Sequence, residues 1–187
     1  MKKGKLIVIS GPSGVGKSTI RDRLLEKNDN LWYSISMTTR SPREGEEHGV
    51  HYFFVTEEEF LKSIQKNELI EYMEVYKGTY YGTPKKEIDK RLKKGIDVLL
   101  EIDVDGASKI RKFYKDAILI FITPPSMEEL EKRLKLRNTN SIEDIKERLI
   151  KAKYEIETSK YYDFIVTNEK INKCVDEINN FIQEKKN

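Results

Sequence analysis

Apolar residues along this chain follow two rhythms: short unbroken runs, and longer stretches where they return every third or fourth position. The first suits a strand buried on both faces, the second an amphipathic helix. Runs over Lys5–Ser10, Trp32–Ser36, Asp97–Asp103, Ala117–Thr123 and Phe164–Thr167 predict five strands, with helical spacing between them. That alternation predicts an α/β fold, a parallel five-stranded core sheet flanked by helices. Between Tyr52 and Tyr81 the rhythm changes. "YFFV", "ELIEYMEVY" and "TYYGT" are strand-like runs around one helix, which predicts a small mixed insertion.

Helix starts are marked chemically. Thr56 with Glu59, Ser126 with Glu129 and Ser141 with Asp144 have the spacing of a capping box. Thr83 before Pro84 predicts an N-cap with proline at the first helical position. A last helix over about 172–185 follows Ile171, Val175, Ile178 and Ile182. No repeat or low-complexity linker interrupts the 187 residues, so one compact unit is expected.

The first strand runs into "GPSGVGKST", which fits Gly-x-x-x-x-Gly-Lys-Ser through Gly11, Gly16, Lys17 and Ser18. Glycines let backbone N–H groups turn toward phosphate oxygens, and the following helix points its N-terminus at the anion. Lys17 would place a charge on the β and γ phosphates, and Ser18 would ligate Mg²⁺. Strand, loop and helix agree on this P-loop reading.

Composition narrows the classes. Lys and Arg number 35 against 32 acidic residues, a net charge of +3, too balanced to argue for nucleic acid. The run "KKEIDKRLKK" (85–94) reads as a solvated helix face. One cysteine, Cys174, excludes an intrachain disulfide and reads as a buried small hydrophobe; His48 and His51 are too few for a metal site. The apolar run in "MKKGKLIVIS" is shorter than the ~7–15 residues of a signal peptide. Nothing approaches the ~20 apolar residues of a membrane span, so a cytoplasmic protein without membrane or nucleic-acid partners is expected.

A second anion site is suggested by "SISMTTRSPREGEEHGVHYFF" (34–54), where Arg40 and Arg43 flank Pro42 and Tyr52 follows. Arginine grips phosphate bidentately, although a solvated loop with two arginines fits those residues equally well. Glu71 lies within the apolar run "LIEYMEV", where an unpaired carboxylate is costly. A carboxylate there suits the adjacent N1–H and N2–H₂ donors of guanine. Tyr81 and Thr83 add hydroxyls around Gly82.

With "ISGPSGVGKST", "SISMTTRSPREGE", "LIEYMEV", "YYGTP", "VLLEIDVDGA", "FITPPSMEELEKRL" and "IVTNE", the chain resembles the guanylate kinases from Lys5 to about Ile182. The resemblance implies Mg²⁺-dependent transfer of the ATP γ-phosphoryl to GMP or dGMP, with those small molecules as the only partners implied. Gly11, Pro12, Ser13, Gly14, Val15, Gly16, Lys17, Ser18 and Thr19 would bind ATP with Arg133 and Asn168. Arg40, Arg43, Tyr52 and Tyr81 would hold the GMP phosphate, while Ser36, Glu71, Gly82 and Thr83 would surround guanine. Glu101 and Asp103 would border the acceptor, with Asp103 reaching the metal through water. Lys17, Arg43, Arg137 and Arg148 would carry the catalytic charge.

The implied organisation is a core of 1–36, 84–132 and 149–187, a GMP-binding insertion near 37–83 and a lid near 133–148. Read without the family, Arg133 and Arg148 fit ordinary helix pairs, Arg148 with Asp144 for instance. Three positions depart from the family pattern: Leu136 and Asn138 beside Arg137, and Asp105 after "EIDV". "DVDG" also fits the Asp-x-x-Gly of a GTPase, but "TNEK" lacks the Asn-Lys-x-Asp guanine reader. A binding module without catalysis is disfavoured by the intact Lys17 and Ser18.

Overall fold

The structure, a computed structural model, describes residues 2–136 and 141–186. Five parallel strands form its centre: β1 (Leu6–Ser10), β2 (Leu31–Tyr33), β7 (Asp97–Glu101), β8 (Ile118–Thr123) and β9 (Phe164–Thr167), in the order β2-β7-β1-β8-β9. β1 lies in the middle, with Ile7 opposite Leu99 on one side and Ile118 on the other. Alternate side chains enter opposite faces. Ile7 and Ile9 pack with α1 (Lys17–Lys27) and α7 (Ile171–Glu184) through Ile20, Leu24, Val175 and Ile178. Leu6 and Val8 pack with α3 (Lys85–Lys93) and α4 (Val104–Phe113) through Ile88, Leu92 and Ile110. β1 is therefore buried on both faces, each large side chain contributing about 1.5–3 kcal/mol.

A second sheet joins β3 (Met37–Thr38), β4 (Phe53–Phe54), β5 (Leu69–Tyr76) and β6 (Thr79–Pro84) in the order β4-β3-β6-β5. β5 and β6 are antiparallel across a turn in which Gly78 has φ 77°. α2 (Glu57–Gln65) covers this sheet through Phe60, which stacks on Tyr80 at 5.4 Å. α5 (Met127–Leu136) and α6 (Ile142–Thr158) share a small core of Leu130, Leu134, Ile145 and Ala152.

The capping boxes at Thr56 and Ser141 form reciprocally, and the Glu129 amide donates to Ser126 Oγ at 3.2 Å. The expected cap at Thr83 does not form. β6 runs through Pro84, which takes the N-cap position itself, because the Thr83 hydroxyl donates to Glu71 instead. Trp32–Ser36 and Asp97–Asp103 shorten to Leu31–Tyr33 and Asp97–Glu101, their ends turning into loops that carry polar side chains. Ile171, read from sequence as part of the apolar stripe, is 40% exposed at the first position of α7, while Cys174 joins Val175, Ile178 and Ile182 inside. Arg137 and Asn138 lie outside the described residues.

Candidate active site

The parallel strands deliver their C-terminal ends to one edge of the sheet, where α/β folds place their ligands. At the end of β1, Gly11 to Gly16 form a loop that closes directly into α1 at Lys17. Gly16 has φ 100°, a left-handed backbone that glycine adopts without strain. A Cβ there would also stand 2.7 Å from Asn168 Nδ2, so space and backbone both require glycine. Lys17 Nζ bends back to donate to the carbonyls of Gly11 at 2.5 Å and Pro12 at 3.1 Å. Val15, fully buried, pins the loop to the core.

Asn168, just after β9, is buried beneath this loop and donates Nδ2 to the Val15 carbonyl at 2.7 Å. Its own carbonyl accepts from Arg133 Nη2 at 3.2 Å, while Arg133 Nε reaches Glu129 at 3.0 Å. The helix pair read from sequence for Arg133 thus exists, and the same guanidinium also reaches the β9 end. Arg148 donates to Ser13 Oγ of the loop at 2.7 Å, across 135 residues, rather than forming the alternative pair with Asp144. A cavity of about 720 Å³ opens beside the loop, lined by Gly14, Gly16, Thr19, Arg133, Asn168 and Asn172 among others.

At the end of β7, Glu101 faces the loop. Its Oε1 lies 3.3 Å from Ser18 Oγ, and its Oε2 accepts from Arg21 at 3.1 Å. Asp103 caps α4 by accepting from the Gly106 amide at 2.9 Å, and Lys151 of α6 stands 4.0 Å from its other oxygen. Asp105, one of the family departures, accepts from the Tyr154 hydroxyl at 3.5 Å, so α4 and α6 meet here as well.

The second sheet contributes the other polar group. Glu71 on β5 is 7% exposed and accepts from Thr83 Oγ1 at 2.5 Å. Burial pushes its carboxyl above the usual carboxylate range, with Asp103 adding to the shift and the Thr83 bond opposing it. Gly106 lies against it: a Cβ there would meet Oε2 at 3.2 Å. Glu71 is therefore packed onto the first turn of α4, beside Asp103.

Arg40 is held from every side. Its Nε donates to Tyr81 Oη at 3.0 Å, and its two Nη atoms donate to both oxygens of Glu46 at 2.9 Å. Tyr52 packs edge-on against Tyr81 at 5.9 Å and lies under the Arg40 guanidinium at 5.5 Å. The bidentate bond from Arg40 holds the Glu46 carboxyl down at about 2, helped by the Arg43 amide. Arg43 itself is exposed, and the Ser36 carbonyl accepts from the Phe53 amide at 2.8 Å, next to Tyr52 in the chain.

The structure brings Arg40, Tyr52 and Tyr81 together, then Glu71, Gly82 and Thr83 on paired strands, and Ser18 with Glu101. Sequence reading missed Glu46, Arg21 and Glu155. Glu46 sits three residues after Arg43 in "REGE", a turn spacing that could have flagged it. Glu155 lies seven residues from Arg148 on one face of α6, is 5% exposed, and faces Lys17 and Lys151. Burial raises its carboxyl, with those lysines opposing and Asp103 and Asp105 assisting.

The guanylate kinase family model matches residues 3–185. A guanylate kinase of Clostridium tetani is 48% identical over 186 residues, covering 100% of this chain and 88% of that protein. One from Malacoplasma penetrans is 49% identical over 187 residues, covering 98% and 95%. The crystal structure of guanylate kinase from Anaplasma phagocytophilum superposes with a TM-score of 0.81 at 37% identity, covering 98% of this chain and 87% of that one. With the family model spanning nearly the whole chain and the fold shared with a solved member, this protein belongs to the guanylate kinase family.

Proposed function

We propose that the protein transfers the γ-phosphoryl group of ATP to GMP, and to dGMP, giving ADP and GDP in purine nucleotide recycling. The carrying observation is the buried Glu71–Thr83 pair, a carboxylate oriented by a hydroxyl, on the sheet adjoining the P-loop core. Guanine offers two adjacent N–H donors to such a carboxylate, whereas adenine offers an acceptor and an amine. The phosphate of GMP then falls to Arg40, Arg43, Tyr52 and Tyr81, with Ser36 and Gly82 shaping the wall. Arg40 enters this role preorganised, since Glu46 and Tyr81 already fix its plane. ATP takes the loop Gly11–Thr19, with its base in the cavity beside Asn168 and Arg133.

In the transfer, an oxygen of the GMP phosphate bonds to the γ phosphorus. The bond from that phosphorus to the β–γ bridging oxygen breaks, and its electron pair stays on ADP. The acceptor is already an anion, so no base is needed; charge and position carry the catalysis. Lys17 leaves the carbonyls of Gly11 and Pro12 for the β and γ phosphates. Arg148, now on Ser13, moves only locally to reach the same phosphates, and Arg137 belongs with it. The Ser18 hydroxyl and the carboxylates of Glu101 and Asp103 are hard oxygen donors of the kind Mg²⁺ takes, which supports Ser18 as its ligand and Asp103 as a partner through water. Bound there, Mg²⁺ would neutralise charge on the phosphate oxygens.

Three segments have distinct parts in this reading: a core of 1–36, 84–132 and 149–187, an acceptor insertion of about 37–83, and a lid of about 133–148. The setting is cytoplasmic; among the described residues no helix is long and apolar enough to cross a membrane. Coupled ADP release with GMP, dGMP, AMP, CMP and UMP in parallel tests the reading. Turnover confined to the guanine nucleotides supports it, and equal turnover with AMP overturns it.

A further inference from the structure

Asn168 makes three connections, and its side chain points at the loop rather than standing open. Its amide N–H donates to the Thr123 carbonyl at 2.8 Å, tying it to the end of β8. Its Nδ2 donates to Val15 at 2.7 Å, and its carbonyl receives Arg133 at 3.2 Å. At 3% exposure it lies almost wholly inside. Its Oδ1 is buried without a hydrogen-bond partner among the described residues. The Val15 carbonyl can only accept, so it fixes which end of the amide faces the loop. Gly16 leaves room for the same Nδ2, since a Cβ there would stand 2.7 Å from it.

We propose that Asn168 is a positioning residue for the phosphate cradle: its side-chain amide sets the path of Val15–Gly16, and through them the amides and Lys17 that receive phosphate. A loop whose N–H groups must converge on an anion needs its carbonyls turned away and satisfied. The Val15 carbonyl points inward, and Asn168 satisfies it. Two residues on, Lys17 begins α1, so a rotation of the Val15–Gly16 peptide would turn the first N–H groups of the helix off the anion. The backbone of Asn168 is anchored to β8, which makes the support rigid. Arg133 joins the same residue, so α5 and the cradle share one fixed point.

This inference rests on the ATP reading of the cavity but differs from a base contact, and the two separate in binding. Tripolyphosphate carries the phosphate chain without a base; ADP carries both. Calorimetric titration of each into the parent, Asn168→Ala and the isosteric Asn168→Asp checks the inference. Weakening of both ligands by a similar factor, tenfold or more, is expected. In Asn168→Asp a carboxylate faces the Val15 carbonyl, so it should be no better than Asn168→Ala.

Weakening of ADP alone, with tripolyphosphate held within twofold of the parent, makes Asn168 a base contact and overturns the proposal. No change for either ligand overturns it too. Titrations are normalised to the folded fraction from thermal melts, because a purely structural loss leaves the affinity of folded molecules intact. Should both variants fail to fold, Gly16→Ala presses on the same contact from the loop side and must show the paired weakening. Failure of the parent to phosphorylate GMP would overturn the proposed reaction without touching this comparison.

Discussion

Exchanging Glu71 for glutamine separates reading a base from holding a fold. The substitution keeps size and shape, and the glutamine Oε1 can still accept from Thr83 Oγ1, the bond seen at 2.5 Å. What changes is the other atom, which becomes an N–H donor and, on the proposed reading, would face the guanine donors. One hydrogen bond is lost and a buried donor is left opposed, a cost of about 1–3 kcal/mol. At about 1.4 kcal/mol per decade, kcat/KM for GMP should fall roughly 5- to 140-fold, while KM for ATP stays at the parent value.

Stability should move the other way. Because burial raises the folded-state carboxyl, the unfolded chain releases its proton first, near pH ~4.3. Above that pH the charged form penalises the folded state, and the penalty grows until the raised folded-state value is passed. Glutamine removes it, so the variant should melt no lower than the parent at pH 7. The two melts should converge below pH ~4. Steady-state kinetics at saturating ATP and differential scanning fluorimetry across pH measure both halves. Unchanged GMP kinetics together with a lower melting temperature at pH 7 would refute the reasoning, making Glu71 a structural partner of Thr83.

Lys17→Ala should lower turnover by about two orders of magnitude or more with modest loss of ATP affinity, since its charge matters most as the phosphoryl group moves; near-normal turnover in stopped-time assays contradicts this. Glu46→Ala frees Arg40 from its bidentate hold, and in this part-buried pair the lost preorganisation should cost about 1 kcal/mol. That appears as a roughly fivefold rise in KM for GMP with kcat retained, and an unchanged KM argues that Arg40 finds its place without Glu46. GMP with a non-hydrolysable ATP analogue should shorten the distance between dyes placed on α2 and α7, because the two phosphates must meet without water between them. Equal distances in free and doubly bound protein would rule out closure of the second sheet onto the core.

The sequence announced some of this plainly and concealed the rest for physical reasons. The P-loop is legible because its geometry is local: strand, glycine turn and helix are consecutive. The three central strands are legible because β1, β7 and β8 are covered on both faces, which forces continuous apolar runs, whereas the edge strands β2 and β9 are only partly buried. Thr83 misled because two local rules competed with one distant need. Its spacing suits a cap, but Glu71, buried on the paired strand, required a donor more. The supports of the site were the least legible. Asn168 under Val15, Arg21 on Glu101 and Arg148 on Ser13 are contacts across 153, 80 and 135 residues, and no local pattern records them. Glu155 was hidden by the opposite fault: a glutamate in a charged helix reads as solvated until the helix is seen to turn it inward.

Cys174 has a practical consequence. It is the chain's one thiol, 1% exposed on the buried face of α7, and burial pushes it up to about 12. A folded molecule therefore offers alkylating reagents almost no thiolate and no path of approach, so labelling reports the fraction of time the α7 face is open. Pairs of surface cysteines can be introduced for distance measurements with Cys174 left in place. The same thiol then acts as an internal clock, its slow modification showing whether each labelled sample stayed folded throughout the experiment.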